Sequence, residues 1–256
     1  MKIGIIQGRL SKPDNGFQET PIDWNREFNL LPKLGLDHIE WILTKDNFNN
    51  NPIFNNDLTK YPISSICADF MVDNNFYNKD YLDKFLRKTC NIAISNNIKC
   101  ITIPLLEDSN VSDVDVLDKF ISAFYPYTKE YNNLNFLIEA EIDCKSINKL
   151  LDLNNNIFLT YDTGNITSCN FDHIEYLTTC ISKIKTIHLK DRTRTPIQTV
   201  EPFTGDTDFK LIFKILSELN YNGNFTIQTA RSKAGNEIQT ILTQKQKFKK
   251  LYEKFI

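Results

Sequence analysis

A chain of 256 residues, 41% hydrophobic and 24% charged, holds enough apolar material for one sizeable core or two small ones. Its formal charge of −2 leaves no basic footprint, which excludes binding to nucleic acid or to an anionic membrane surface as the main task. Six cysteines (Cys67, Cys90, Cys100, Cys144, Cys169 and Cys180) are scattered without a C-x-x-C pair, so neither a disulfide framework nor a zinc knuckle is expected. They read as reduced thiols in a cytoplasmic protein. The opening residues 1–9 turn polar too soon for a signal peptide, and no apolar run reaches the ~18 residues of a membrane-spanning helix.

Short β-branched runs alternate with longer amphipathic stretches along the chain. A strand is expected over residues 2–7, then a helix over 23–34 with Asp23 as N-cap and Gly35 as its stop. A strand over 37–43 leads into an Asn-rich stretch with a short helix near 54–60. A third strand fits 62–68, a helix 79–97 and a strand 99–104. The rhythm continues with a helix over 113–132, a strand over 135–139, a helix over 145–153 and a strand over 157–162. A helix around 171–182, a strand over 184–190 and a helix over 208–219 follow. A strand over 223–230 and a closing helix over 236–254 complete the pattern. The Asn runs at 49–51 and 154–156 read as loop filler.

Eight strand-helix units in 256 residues give 32 residues each, the size of a βα unit with short connections. Strict alternation implies parallel strands, because each helix returns the chain to the same edge. No G-x-G-x-x-G follows the first strand, so the usual dinucleotide signal is missing. No Pro- or Gly-rich linker divides the chain. The expected fold is α/β, an eight-stranded parallel (β/α)8 barrel, with residues 1–256 forming a single domain.

In such a barrel, polar residues at the C-terminal ends of strands carry chemistry, whereas apolar inward positions fill the interior. The strand ends here present Gln7 and Arg9, Glu40, Glu139, Asp162, His188 and Lys190, and Gln228. Thr186, His188 and Lys190 share one strand face; so do Leu137, Glu139 and Glu141. Glu139, Asp162 and His188, at the ends of consecutive strands, form a mixed oxygen and nitrogen set suited to one divalent ion such as Mn²⁺, Mg²⁺, Co²⁺ or Zn²⁺. Alone, each has a plainer explanation: Asp162 as a turn residue or N-cap, Glu139 in an ion pair, His188 as a hydrogen-bonded core residue. His38 and His173 fall outside the set and read as packing or surface residues. Trp41 reads as packing on the opposite strand face.

The segments Ile138-Glu139, Tyr161-Asp162-Thr163-Gly164-Asn165, Ile187-His188-Leu189-Lys190-Asp191-Arg192 and Gly205-Asp206-Thr207-Asp208-Phe209 resemble the xylose isomerase-like barrel superfamily. They are closest to its sugar phosphate isomerase/epimerase branch. The opening Ile3-Gly4-Ile5-Ile6-Gln7-Gly8-Arg9-Leu10 and Ile39-Glu40-Trp41 agree, so the resemblance spans essentially the whole chain. It implies one divalent metal held by Glu, Asp, His and a second Glu on strand eight. The first three match Glu139, Asp162 and His188; the fourth falls at Gln228. A Gln amide oxygen can ligate a hard cation, but it is neutral and takes no proton.

The resemblance therefore implies a metal-dependent isomerase or epimerase of a sugar or sugar phosphate, working by proton abstraction next to a carbonyl through a metal-stabilised enediolate. Glu139 is the expected base. Lys190 is an electrostatic partner or a Schiff-base nucleophile, and a two-base epimerase would have to recruit Glu141, Glu40 or Lys190 as its second group. Gln7, Arg9, Glu40, Arg192 and Arg231 are expected to bind substrate, the arginines its anionic group; Arg194 is a further candidate. An alternative partner for Arg192 is Asp191. With no strand-eight carboxylate, one-base isomerisation is simpler than two-base epimerisation. Two other outcomes stay open: a dehydratase of a cyclitol or keto-sugar, and a sugar-binding barrel without catalysis. An endonuclease IV-like repair enzyme is opposed by the three histidines in total and by the acidic balance. Neither nucleic acid nor membrane is an expected partner; a homo-oligomer is open.

Overall fold

The computed structural model describes residues 1–12, 21–230 and 235–256. Ten strands and nine helices are found among them: β1 (Lys2–Ile6), α1 (Trp24–Leu34), β2 (Ile39–Ile42), β3 (Ile63–Cys67), α2 (Lys79–Lys84), α3 (Leu86–Ser95), β4 (Cys100–Leu105), α4 (Val114–Glu130), β5 (Asn135–Ala140), α5 (Cys144–Leu151), β6 (Ile157–Asp162), α6 (Thr163–Ser168), α7 (His173–Cys180), β7 (Ile184–Leu189), β8 (Asp191–Arg194), β9 (Ile197–Val200), α8 (Phe209–Glu218), β10 (Asn224–Ile227) and α9 (Glu237–Tyr252). Eight of the strands close into a barrel in the order β1-β10-β7-β6-β5-β4-β3-β2. The remaining pair, β8 and β9, forms a separate antiparallel hairpin. This is the expected (β/α)8 barrel.

Contacts group the chain into two compact units, residues 1–39 with 161–256, and residues 40–160. In the second unit β3, β4, β5 and β6 pair in parallel, with Cys67 opposite Thr102, Thr102 opposite Leu137 and Leu137 opposite Phe158. In the first, β1, β10 and β7 pair in parallel, with Gly4 opposite Thr226 and Thr226 opposite His188. The alternating positions are apolar and buried: Ile101, Ile103, Phe136 and Ile138 in one unit, Ile3, Ile5, Ile187 and Phe225 in the other. Side chains alternate across a strand, so each sheet arc has one oily face and an opposite face that mixes polar and apolar residues, such as Thr102 and Leu137 in one unit and Thr226 and His188 in the other.

Most helices lie where apolar spacing places them. The helix over 23–34 begins after Asp23 and stops at Gly35, whose φ is 59°. The 79–97 segment divides into α2 and α3 at Phe85, and the Asn-rich stretch forms two 3-10 turns instead of an α-helix near 54–60. Two elements were not visible in the sequence: the short α6 directly after β6, and the β8–β9 hairpin between β7 and α8.

The Asn runs contain structural pins rather than filler. Asn51 is fully buried; its Oδ1 accepts from Trp41 Nε1 at 2.9 Å and from the Ile53 amide at 3.2 Å, and its Nδ2 donates to the Ile42 carbonyl at 3.1 Å. Asn156 Nδ2 donates to the carbonyls of Thr128, Tyr131 and Leu134 at 3.0–3.3 Å. Both tie a loop to the ends of neighbouring elements through their side-chain amides. Trp41 is fully buried, its indole held by Asn51. His38 is buried too, with Nε2 3.3 Å from Thr226 Oγ1.

Candidate metal centre

Asp162 closes β6 and at the same time caps α6: its Oδ1 accepts the Asn165 amide at 2.8 Å. The cap fixes the carboxylate's orientation and leaves Oδ2 facing β7. There Oδ2 lies 4.0 Å from His188 Nδ1 and 3.4 Å from Lys190 Nζ. His188 is fully buried and Asp162 is 3% exposed. Glu139, from β5 and also buried, offers a ligand atom to the same place: one atom each of Glu139, Asp162 and His188 lies within 4.8 Å of the others.

Around an ion with bonds of ~2.1 Å, ligand atoms are ~3.0–4.2 Å apart. The Asp162–His188 separation of 4.0 Å falls in that range, and the ligand atoms of all three residues lie within 4.8 Å of one another. Two carboxylates and an imidazole are donors that zinc, manganese or magnesium all accept.

The D-T-G-N and H-L-K-D segments are two halves of one hydrogen-bonded joint. Thr163 Oγ1 lies 3.1 Å from the His188 carbonyl and 2.6 Å from the Lys190 carbonyl, and accepts the Lys190 amide at 3.0 Å. Asn165 Oδ1 accepts from Lys190 Nζ at 3.4 Å and from an Arg192 Nη1 at 3.0 Å; the same Nη1 is 3.1 Å from Ser168 Oγ. Gly164 is where those two cationic side chains pass closest. A Cβ there would lie 3.0 Å from Cγ of both Lys190 and Arg192, tighter than ordinary contact.

Asp191 has a different task from pairing with Arg192. It is fully buried and its oxygens accept the amides of Thr204 (3.1 Å), Gly205 (2.9 Å) and Thr207 (3.1 Å). Gly205 is required there, since an added Cβ would fall 2.4 Å from Asp191 Oδ1. Arg194 is exposed at the end of β8.

The other predicted residues occupy these positions. Gln228 follows β10; its amide donates to the Leu189 carbonyl at 3.2 Å, and its side-chain Oε1 is buried with no hydrogen-bond donor among the described residues. Lys190 directly follows β7. Glu141 is half-buried one residue beyond β5, and Glu40 is fully buried in β2, accepting from Thr102 Oγ1 at 2.7 Å. Gln7 is buried and Arg9 half-buried in the turn after β1. Arg231 lies outside the described residues.

Two buried groups were missed. Glu27 of α1 is 1% exposed and gathers the turn after β1: it accepts from the Gly8 amide at 2.8 Å, the Leu10 amide at 2.9 Å and Ser11 Oγ at 2.8 Å. A single Glu on an amphipathic helix carries no sequence signal for such a role. His173 is the other. It is buried between the Tyr161 hydroxyl, hydrogen-bonded to Nδ1, and Thr167 Oγ1, 3.0 Å from Nε2. Burial, with Arg194 adding to it, pushes the imidazole down to about 4 from its ordinary 6.5.

Stability should follow that imidazole. Between pH 4 and 6.5 the unfolded chain holds a proton on His173 that the folded chain does not, so stability rises with pH across this window and levels off above it. The expected gain is on the order of 3 kcal/mol. Denaturant unfolding at a series of pH values, compared with His173→Gln, isolates this contribution; parallel pH curves for the two proteins would contradict it.

With fold and site in view, the chain belongs to the xylose isomerase-like TIM barrel family, whose profile matches residues 80–251. Inosose dehydratase of Clostridium perfringens is 28% identical over 109 residues, 35% of this chain and 37% of that protein. The chain thus spans little more than a third of the length of the curated relative it matches. Among solved structures, the IOLI protein with a bound zinc atom superposes with a TM-score of 0.74 at 14% identity, covering 100% of this chain and 99% of that one. An L-ribulose 3-epimerase gives 0.73 at 13% identity, covering 98% and 94%. These two likenesses describe the fold. Among the described residues no helix is long and apolar enough to cross a membrane.

Proposed function

We propose that the protein is a metal-dependent enzyme that removes a proton next to the carbonyl of a sugar or sugar phosphate, completing an isomerisation or epimerisation. The observation that carries this reading is the convergence of Glu139, Asp162 and His188 beside Lys190. Glu139, Asp162 and His188 would hold the ion, with Gln228 Oε1 as a neutral fourth ligand; that buried acceptor has no donor among the described residues. When bound, a divalent ion supplies a Lewis acid that acidifies the proton beside the carbonyl and offsets the charge of the enediolate.

The rest is the work of the chain. Glu139 takes the proton and returns it to the neighbouring carbon or oxygen. Lys190 Nζ, steered by Asp162 and Asn165, donates to a substrate oxygen. Arg192, Arg9 and Arg231 supply planar donors for an anionic group, while Gln7 and Glu40 contact hydroxyls. Glu141 is the acid available for a second face. With an amide at 228, one-base isomerisation needs no further group, whereas epimerisation needs Glu141 or Lys190.

A second reading is dehydration of a cyclitol or keto-sugar, supported by the sequence match to inosose dehydratase. It begins with the same proton removal and then loses a hydroxyl from the next carbon, with Lys190 as the proton donor. Incubating the metal-loaded protein in D₂O with sugars, sugar phosphates and cyclitol ketones, followed by NMR, separates the outcomes. Deuterium uptake with an aldose–ketose or epimer product supports the first reading, and an enone or deoxy product the second. No uptake from any candidate overturns both. In parallel, Gln228→Glu should tighten zinc binding roughly tenfold through the added charge. Unchanged affinity would place residue 228 outside the ion's reach.

A further inference from the structure

The six residues of α6 are too few to be stable by themselves, since a helix this short hardly repays its nucleation. Yet α6 carries the cap that orients Asp162, the hydroxyl that joins Asp162 to β7, and the amide oxygen that receives Lys190. Something outside the metal centre must hold it. Asp162 and β7 grip its first turn. Its far half is gripped by His173.

The hydrogen inventory fixes how. Thr167 Oγ1 has one proton, and it lies 2.7 Å from the Thr163 carbonyl one turn back, the usual acceptor for a helical threonine. Thr167 must then accept from His173, so the imidazole carries its proton on Nε2. Nδ1 is left as an acceptor for the Tyr161 hydroxyl. Each hydrogen is used once: Tyr161 O–H to Nδ1, Nε2–H to Thr167, Thr167 O–H to the Thr163 carbonyl. The opposite tautomer would strand the Tyr161 proton and cost the Thr163 carbonyl its side-chain donor.

The chain of bonds does not end at Thr163, because the hydroxyl of that residue bonds the backbone of His188 and Lys190. A continuous path therefore runs from Tyr161 in β6, through His173 at the start of α7, along α6, to the exit of β7. We infer that His173 is a positioning residue of the metal centre: by bracing α6 against β6 it sets the spacing between Asp162 and His188. This rests on the reading that those two residues bind a metal. Among the described residues His173 hydrogen-bonds Tyr161 and Thr167 and neither ligand side chain, so its influence is carried by Thr167 and Thr163.

The test is calorimetric titration of the purified full chain with zinc alone, then with manganese alone. His173→Phe and the near-isosteric Thr167→Val should weaken binding about 10- to 100-fold, the usual effect of losing an outer-shell partner. His173→Gln, whose side-chain N–H can still reach Thr167, should stay within about threefold of the parent, since neither ligand is altered. A merely structural role would lower thermal stability in the Phe variant and leave affinity of the folded fraction unchanged; that result overturns the inference. So does a Gln variant as weak as Phe, because the donor would then be irrelevant. If the Phe variant does not fold, Thr167→Val alone decides. Nitrogen-15 NMR adds an independent reading: the Nε2–H tautomer is required, and an Nδ1–H signal for His173 breaks the path. Failure of the parent chain to bind either ion removes the metal reading and this inference together, whereas parent-like binding by the variants removes only the inference.

Discussion

Asp162→Asn should leave a folded protein whose zinc affinity is lower by at least two orders of magnitude. The two functions of this carboxylate separate cleanly under that change. An Asn side-chain oxygen still accepts the Asn165 amide, so the cap of α6 survives and the cost in stability is small. The charge on the atom facing His188 and Lys190 is gone. Loss of outer-shell partners alone costs ~10–100-fold in affinity, and loss of an anionic ligand should exceed that. Asp162→Ala should lose the same affinity plus about 1 kcal/mol of stability, the usual worth of an N-cap. Zinc titration together with urea unfolding of both variants checks the separation. Equal zinc binding by Asn and parent proteins would remove Asp162 from the ligand set.

Glu139→Gln should produce the converse pattern. Its amide oxygen can still face an ion, whereas the oxygen of an Asn at 162 is held by the α6 cap and leaves its NH2 toward the ion, so metal should be retained more fully than in Asp162→Asn; the amide cannot take a proton. Solvent deuterium exchange into substrate should fall by about 10²–10⁴-fold, the ordinary contribution of a positioned base. The two variants distinguish a centre that has lost its ion from one that has lost its base. If Glu139→Gln exchanges deuterium at the parent rate, the base lies elsewhere, and Glu141 is the next residue to replace.

The sequence carried the barrel plainly because its signal is repeated eight times: each β-branched run and each amphipathic helix reports the same architecture. The strand ends were legible for a related reason. In a strand, position along the chain dictates which face a residue occupies, so Glu139, Asp162 and His188 could be compared before any coordinates. What escaped was local and non-periodic. The helix α6 is one and a half turns long and buried on all sides, so it shows no amphipathic contrast. The hairpin strands β8 and β9 are four residues each and rich in polar side chains, which made them look like a loop. Glu27 and His173 were invisible for another cause. Their significance lies in what packs around them, and a buried Glu that gathers three donors is spelled like any surface Glu. Asn51 and Asn156 misled in the same way, because a run of identical residues hides the members that are pinned.

The bonds from Asp191 to residues 204, 205 and 207, with the Asp206 amide on the Arg192 carbonyl and the Arg194 amide on Asp206, fasten the base of the β8–β9 excursion. The chain leaves β7 and reaches the start of α8 over a short clasp, whatever the intervening residues do. Lengthening the tip would then add only loop entropy, about 0.6 kcal/mol for each doubling, and transmit no displacement to the helix beyond. The clasp thus makes the tip a place where insertions or grafted segments can accumulate beside the strand-seven exit while the scaffold beneath stays fixed.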